Sequence, residues 1–321
     1  MRVYRDIDEV DYNKCTAVTV GTFDGVHLGH RKILEKLRYI ADSKKVRSLV
    51  VTFEPHPQAV LRSKSPDIRI LTTLEEKLSV LRSLDIDSVL IFEFTKEFAK
   101  TGAREFYEET LLKKAGMCDL ILGYDHMFGR NREGNFELME ELSKYHGFSV
   151  DRVDEYKVDG TIVSSTAIRR LLESGNVKEA EKFLGKRYSL AGKVVVGRKL
   201  GRELGMPTAN LEVDSKLKLI PAKGIYSVLV NIDGDEYGGV MNIGTNPTVT
   251  DDESLKLEVN IFNFVSDIYG SRIEVLFVDF LRSEEKFSSL DELKQQMLID
   301  KNNSKEILKE IFHNKITKAK N

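Results

Sequence analysis

A change of rhythm near the middle of the chain constrains its fold more than any other feature. From residue 17 to about 184, short apolar runs alternate with stretches whose apolar residues recur at helical spacing. "AVTVGTF" reads as a buried strand and "GHRKILEKLRYIADS" as the helix that follows it. "SLVVTF", "SVLIFEF", "DLILGYD" and "FSVDRV" supply further strands, with "LEEKLSVLRSL", "AREFYEETLLKKAG" and "NFELMEELSKYHG" as helices between them. Such alternation predicts a parallel sheet covered by helices on both faces. Ligands of such sheets bind beyond the carboxyl ends of the strands, where "GTFDGVH", "FEPHP" and "GYDHMFG" all fall.

From Ala191 onward the period shortens. "GKVVVG", "GIYSVLVNI", "EYGGVMNIG", "LKLEVNIFNF" and "RIEVLFVDFL" are short runs separated by glycine-rich turns, and "IDGDEY" carries an Asp-Gly hairpin signal. This half predicts a mostly antiparallel barrel, closed by one amphipathic helix over roughly Leu290 to Phe312. The boundary falls near Gly185, giving domains 1–185 and 186–321.

A length of 321 residues is ample for two cores. With 49 Lys and Arg against 51 Asp and Glu, the net charge of -2 gives no overall field to recruit nucleic acid or an anionic membrane. No apolar run approaches the roughly 20 residues of a membrane span. The charged start "MRVYRDIDEV" is unlike a secretory leader. A cytoplasmic protein is expected, with room for a homo-oligomer. Its two cysteines, Cys15 and Cys118, are accordingly expected as buried thiols, with neither a disulfide nor a metal site.

In the first half, "TVGTFDGVHLGHRKIL" sets His27 and His30 three residues apart, on one face of a helix's first turn. Gly25 and Gly29 flank that turn, where free backbone N–H groups and the helix dipole favour a phosphate. Imidazole can donate to a phosphate oxygen as charge builds during displacement. Two unrelated surface histidines fit this stretch equally well. In "SSTAIRRLLESG", Ser164, Ser165 or Thr166 would cap a second helix, with Arg169 one turn on and able to clamp phosphate. A routine capped helix with a solvated Arg169–Arg170 pair is the plainer alternative there.

In the second half, "VGRKLGRELGMPTANLEV" places Gly197, Gly201 and Gly205 around Arg198 and Arg202, a pattern able to wrap phosphates. It lacks the Gly-Lys-Ser/Thr of a Walker loop. Thr208 and Asn210 offer neutral oxygens on one side of an extended chain, which suits Mg²⁺ held together with substrate phosphates. Alternation puts Glu258, Asn260 and Phe262 on one strand face, opposite Leu257, Val259 and Ile261. A carboxylate on the polar side is ordinarily solvated; beside a nucleotide–Mg²⁺ site, Glu258 could take the proton of an attacking alcohol.

Together these motifs resemble a known family. "GTFDGVHLGH", "TFEPHP", "GYDHMFGRNREGN", "VSSTAIRRLLESGNVKEAEKFLGKRYSLAGKVVVG", "GMPTAN", "GVMNIGTNPT" and "EVNIFNF" are similar, in order, to the prokaryotic bifunctional riboflavin kinase / FAD synthetase family. The resemblance implies an α/β N-terminal domain with a parallel Rossmann-like nucleotidyltransferase sheet, and a C-terminal mostly antiparallel β-barrel with a terminal helix. It implies the making of FMN from riboflavin and ATP, then of FAD from FMN and ATP. Mg²⁺ would accompany ATP, while FMN and FAD are substrate and product.

By the same resemblance, Gly21, Phe23 and Asp24 would line one ATP site, with His27 and His30 at the triphosphate. Ser164, Ser165, Thr166 and Arg169 would hold phosphates from the other side. Phe53, His56, Pro57, Asp125 and Phe128 would shape the FMN side. In the kinase half, Gly201, Gly205, Thr208 and Asn210 would hold ATP–Mg²⁺, Glu258 would activate the riboflavin 5′-hydroxyl, and Phe287, Gln296 and Asp300 would cover the flavin ring. The chain departs from the family's common residues at His126-Met127 (Phe-Arg), Met206 (Phe) and Asn260 (His). A riboflavin kinase with an inactive or differently specific N-terminal half, and a non-catalytic flavin- or nucleotide-binding regulator, are the rival expectations.

Overall fold

The computed structural model describes residues 1–61, 68–130, 133–197, 205–245 and 255–318, the last stretch with side chains to 313. The chain divides into two compact units, Met1–Ser165 and Thr166–Asn321.

The first unit is built on six strands: β1 (Arg2–Tyr4), β2 (Thr16–Val20), β3 (Arg47–Glu54), β4 (Ser88–Glu93), β5 (Met117–Gly123) and β6 (Ser149–Val153). They pair in the order β1-β4-β3-β2-β5-β6, every neighbour parallel. Between them lie α1 (Leu28–Lys44), α2 (Pro57–Leu61), α3 (Leu74–Ser83), α4 (Ala103–Glu105, running on as a π-helix over Phe106–Leu112) and α5 (Phe136–His146). A small hairpin, β7 (Lys157–Val158) and β8 (Thr161–Ile162), ends the unit.

The period of two along β3 explains why both faces are covered. Leu49, Val51 and Phe53 enter one core with Phe106, Tyr107, Leu111, Met139 and Leu142. Val50 enters the other, with Leu34, Leu37, Leu78 and Leu81. Full burial of one such leucine contributes about 1.5–3 kcal/mol relative to exposure.

One strand was not foreseen, and one expectation needs correction. Strand β1 has no sequence signature, because three residues among charges show no period; its pairing with β4 fixes it. Cys15 and Cys118 are not buried free thiols: they form a disulfide with Cα atoms 5.0 Å apart, and both residues are partly exposed. Strands β2 and β5 are parallel neighbours, so their starts lie side by side although the cysteines are 103 residues apart in sequence.

Helix α6 (Ser165–Glu173) leads into the second unit, followed by α7 (Val177–Leu184). Six strands then close a barrel: β9 (Ser189–Val195), β10 (Ala209–Val213), β11 (Gly224–Ile232), β12 (Asp235–Thr245), β13 (Leu255–Ile261) and β14 (Arg272–Arg282), in the order β10-β13-β12-β11-β14-β9. Every ladder is antiparallel, and β9 pairs with β10 to complete the ring. The β11–β12 hairpin turns at Asp233 (φ 50°) and Gly234 (φ 96°), the left-handed pair a tight hairpin requires.

Met241, Ile243, Leu257 and Val259, all 4% exposed or less, fill the barrel interior, so the alternate residues face outward. Helix α8 (Leu290–Lys318), longer than expected, covers part of that outer wall. Its Leu308 packs with Leu229, Phe262 and Val278. Its buried Ser304 donates to the Gly239 carbonyl at 2.9 Å and shares a 2.8 Å hydrogen bond with Ser227.

Candidate active sites

In the first unit, the segments after β3, β2 and β5 emerge at three adjacent strand ends. The β2–α1 loop is backbone-strained, with φ of 48° at Phe23, 87° at Gly25 and 40° at Val26. A β-branched residue in that region costs on the order of 1–3 kcal/mol and persists only where its surroundings impose it. Here they do. The Asp24 carboxylate, 2% exposed, accepts from the backbone N–H groups of Leu71 (2.9 Å) and Thr72 (3.0 Å). Gly25 N–H donates to the Thr72 hydroxyl at 3.0 Å, and Ser165 Oγ donates to the Asp24 carbonyl at 2.9 Å. Asp24 and Ser165 thus anchor the loop, and Gly21 closes strand β2 by donating to Val51.

His27 is the N-cap of α1: its Nδ1 accepts from His30 N–H at 3.3 Å, which leaves the proton of the neutral ring on Nε2. The His27 and His30 rings stack at 3.6 Å, and Phe23 meets His30 edge-on at 5.3 Å. Gly29 leaves room for the stack: a Cβ there would stand 3.3 Å from the His27 ring, which would have to shift by a few tenths of an ångström. Burial, and then the charges of His27 and Lys77, hold the His30 pKa well below the ordinary histidine value, so His30 is neutral at pH 7.

Lys77 was missed from the sequence. It is 4% exposed, donates to Thr52 Oγ1 at 3.1 Å and has its pKa lowered by burial, opposed by Asp24 and Glu54. Its signal was legible: with Leu78 and Leu81 it occupies the apolar stripe of α3, where a lysine has no packing reason to be.

The residues expected on the flavin side divide. Phe53 and Phe128 stack at 5.7 Å within a cluster that includes Phe92, Phe98 and Phe106. Phe53 is 4% exposed and belongs to the core. His56 accepts from Gln58 N–H at the start of α2, whose first residue is Pro57, and Asp125 is exposed after β5. His126 bonds the Tyr107 hydroxyl at 2.9 Å; burial, opposed by a hydrogen bond to the Val20 backbone, lowers its pKa to about 4. Ser164 is half-buried in the first unit, whereas Thr166 and Arg169 belong to the second.

The second unit carries a cleft of about 350 Å³ on the outer wall of the barrel, lined by Thr208, Asn242, Glu258 and Asn260 together with Phe287, Met297 and Asp300. Glu258 is 29% exposed and stands directly opposite Asn210 on β10 and Asn242 on β12. The expected polar strand face is therefore the cleft wall. Met206 is 5% exposed and also lines it, while the Asn260 amide donates to the Pro207 carbonyl at 2.7 Å, bracing the Pro207-Thr208 turn. Asp300 receives Arg282 through two hydrogen bonds of 2.9 and 2.8 Å, and Gln296 donates to it at 3.0 Å. Arg282 lies 5.8 Å from the Phe287 ring centroid. Gly205 has φ 76°, and Gly197 packs against the Asn210 amide. Gly201, Arg198 and Arg202 lie outside the described residues. Hydroxyl, amide and carboxylate oxygens make up the donor set around Glu258, a composition that fits Mg²⁺.

Residues 9–167 match the family model for FAD synthetase, and residues 184–308 the one for riboflavin kinase. Three relatives named bifunctional riboflavin kinase/FMN adenylyltransferase are similar along nearly their whole length. The Haemophilus influenzae protein is 39% identical over 88% of this chain and 90% of its own. The Escherichia coli K12 protein is 37% identical (90% and 91%), and the Listeria monocytogenes protein 35% (92% of each). A crystal structure described as a macrolide-efflux protein from Streptococcus pneumoniae superposes with a TM-score of 0.85 at 31% identity, covering 94% of this chain and 98% of that one. No described helix is long and apolar enough to cross a membrane. Two matched segments in the expected order, and relatives similar over both, place the chain in the bifunctional riboflavin kinase/FMN adenylyltransferase family.

Proposed function

We propose that this chain makes FAD from riboflavin in two ATP-dependent steps, one in each half. The kinase is assigned to 186–321 and the adenylyltransferase to 1–185, on the ground that the matched segments end at 167 and begin at 184. The observation that carries the kinase assignment is Glu258 in the wall of the cleft, flanked in register by Asn210 and Asn242, with Thr208 also lining it.

In the kinase half, Glu258 takes the proton of the riboflavin 5′-hydroxyl; the oxygen bonds to the γ-phosphorus of ATP and ADP leaves. Thr208 and Asn210 would hold Mg²⁺, which neutralises phosphate charge in such transfers. Glu258 is a secondary contributor energetically, since positioning and charge neutralisation dominate phosphoryl transfer. In the adenylyltransferase half, an FMN phosphate oxygen attacks the α-phosphorus of a second ATP and pyrophosphate leaves. His27 and His30, at the N-terminus of α1, donate to phosphate oxygens there, and the neutral state of His30 lets it act through an N–H. No covalent enzyme intermediate is needed at either site.

Chromatography of products from riboflavin, ATP and Mg²⁺ tests the assignment: FMN and then FAD should appear. Glu258→Ala should abolish FMN formation while sparing FAD formation from supplied FMN. A kinase with a silent N-terminal half would stop at FMN, and a binding regulator would turn over nothing.

A further inference from the structure

One rung of side chains crosses five strands of the barrel's outer wall. In register it comprises Asn210 on β10, Glu258 on β13, Asn242 on β12, Ile225 on β11 and Arg282 on β14. Directly opposed residues of an antiparallel sheet share a face, with Cβ atoms about 4.5–5.5 Å apart. Polarity therefore changes in sequence along the rung. Asn210 marks the metal and phosphate end, and Glu258 the point of proton transfer. The cleft also carries the apolar side chains of Ile225, Val240, Phe287, Leu293 and Met297, beside the charged Arg282, Glu284, Glu285, Asp300 and Lys301. Asn242 lies in register between Glu258 and the apolar Ile225.

The Asn242 side-chain oxygen is buried and has no hydrogen-bond partner among the described residues. Buried acceptors are nearly always satisfied, and Asn242 lines the cleft, so its unmet acceptor points to a donor brought by the ligand. We infer that Asn242 Oδ1 accepts a hydrogen bond from a secondary hydroxyl of the ribityl chain of riboflavin. That chain joins the reacting 5′-hydroxyl at Glu258 to a flavin ring against the apolar wall, and it crosses the Asn242 position on the way. Asn242 thus makes the cleft select flavins that carry a polyol. The inference rests on the kinase assignment above.

The test uses the full chain, Mg²⁺–ATP, and riboflavin beside its 2′-, 3′- and 4′-deoxy analogues. The wild type should reject one analogue by at least about tenfold in kcat/KM. Asn242→Leu should lose a similar factor on riboflavin and no longer distinguish that analogue, with a melting temperature equal to or above that of the wild type because an unpaired acceptor has gone. Should Asn242→Leu not fold, Asn242→Ser, which adds no apolar bulk, should likewise show a reduced preference for riboflavin over that analogue. Undiminished discrimination in the folded variants overturns the inference. So does an equal loss on all four flavins accompanied by a lowered melting temperature, the mark of a structural role. A wild type that forms FAD from FMN but no FMN from riboflavin would instead defeat the kinase assignment itself.

Discussion

Asp24→Ala is the sharpest probe of the nucleotide loop. The wild-type carboxylate is 2% exposed and accepts from two backbone N–H groups, Leu71 at 2.9 Å and Thr72 at 3.0 Å. Alanine removes the shared acceptor of these two buried donors, a loss of about 1–3 kcal/mol each. The floor of the loss is therefore about 2 kcal/mol, before any relaxation at Phe23 and Val26, which the anchor holds at positive φ. For a unit the size of Met1–Ser165, each kcal/mol lowers the melting temperature by about 2–4 °C, so a drop of at least about 4 °C is expected. Both N–H groups bond the same oxygen, Oδ1, so Asp24→Asn keeps both contacts and should lose clearly less, through the missing charge alone. The assay is the temperature at which FMN adenylylation is half lost, read beside the same midpoint for riboflavin phosphorylation. A shift below about 1 °C, or an equal shift in both activities, would refute the anchoring role.

The His27→Ala, His30→Ala double variant should lose FAD formation from FMN while phosphorylating riboflavin normally; undiminished FAD formation removes the pair from the mechanism. His30 and His126 are neutral in the folded unit, whereas the unfolded chain protonates its histidines below about pH 6.5. The unfolded state thus binds more protons as pH falls toward 4, and stability drops through that window by up to about 1.4 kcal/mol per pH unit for each group. His126→Gln should flatten that dependence in urea titrations followed by circular dichroism, and an unchanged slope would contradict it. Alkylation of the unreduced protein should label no cysteine, because Cys15 and Cys118 are joined. Reduction should expose two thiols and cost about 4–5 kcal/mol for a loop of 103 residues. Two labels without reductant would refute the bond.

Periodicity alone separated the two halves, because a buried parallel strand, an amphipathic helix and a half-exposed antiparallel strand each have their own spacing of apolar residues. The Asp233-Gly234 hairpin was legible for the same local reason: few residues tolerate its two left-handed positions. His27 and His30 could be set on one helical turn from their spacing, and Glu258 on the polar side of its strand from alternation. What stayed hidden depends on which elements become neighbours. Strand order put Cys15 beside Cys118 and made Asn242 the partner of Glu258, and neither adjacency has a trace in the spacing along the chain. Packing also decided which polar groups lost water. It turned Asp24 into a loop anchor, drove His30 neutral and buried Lys77, since solvation is a property of the surface left after folding rather than of the residue.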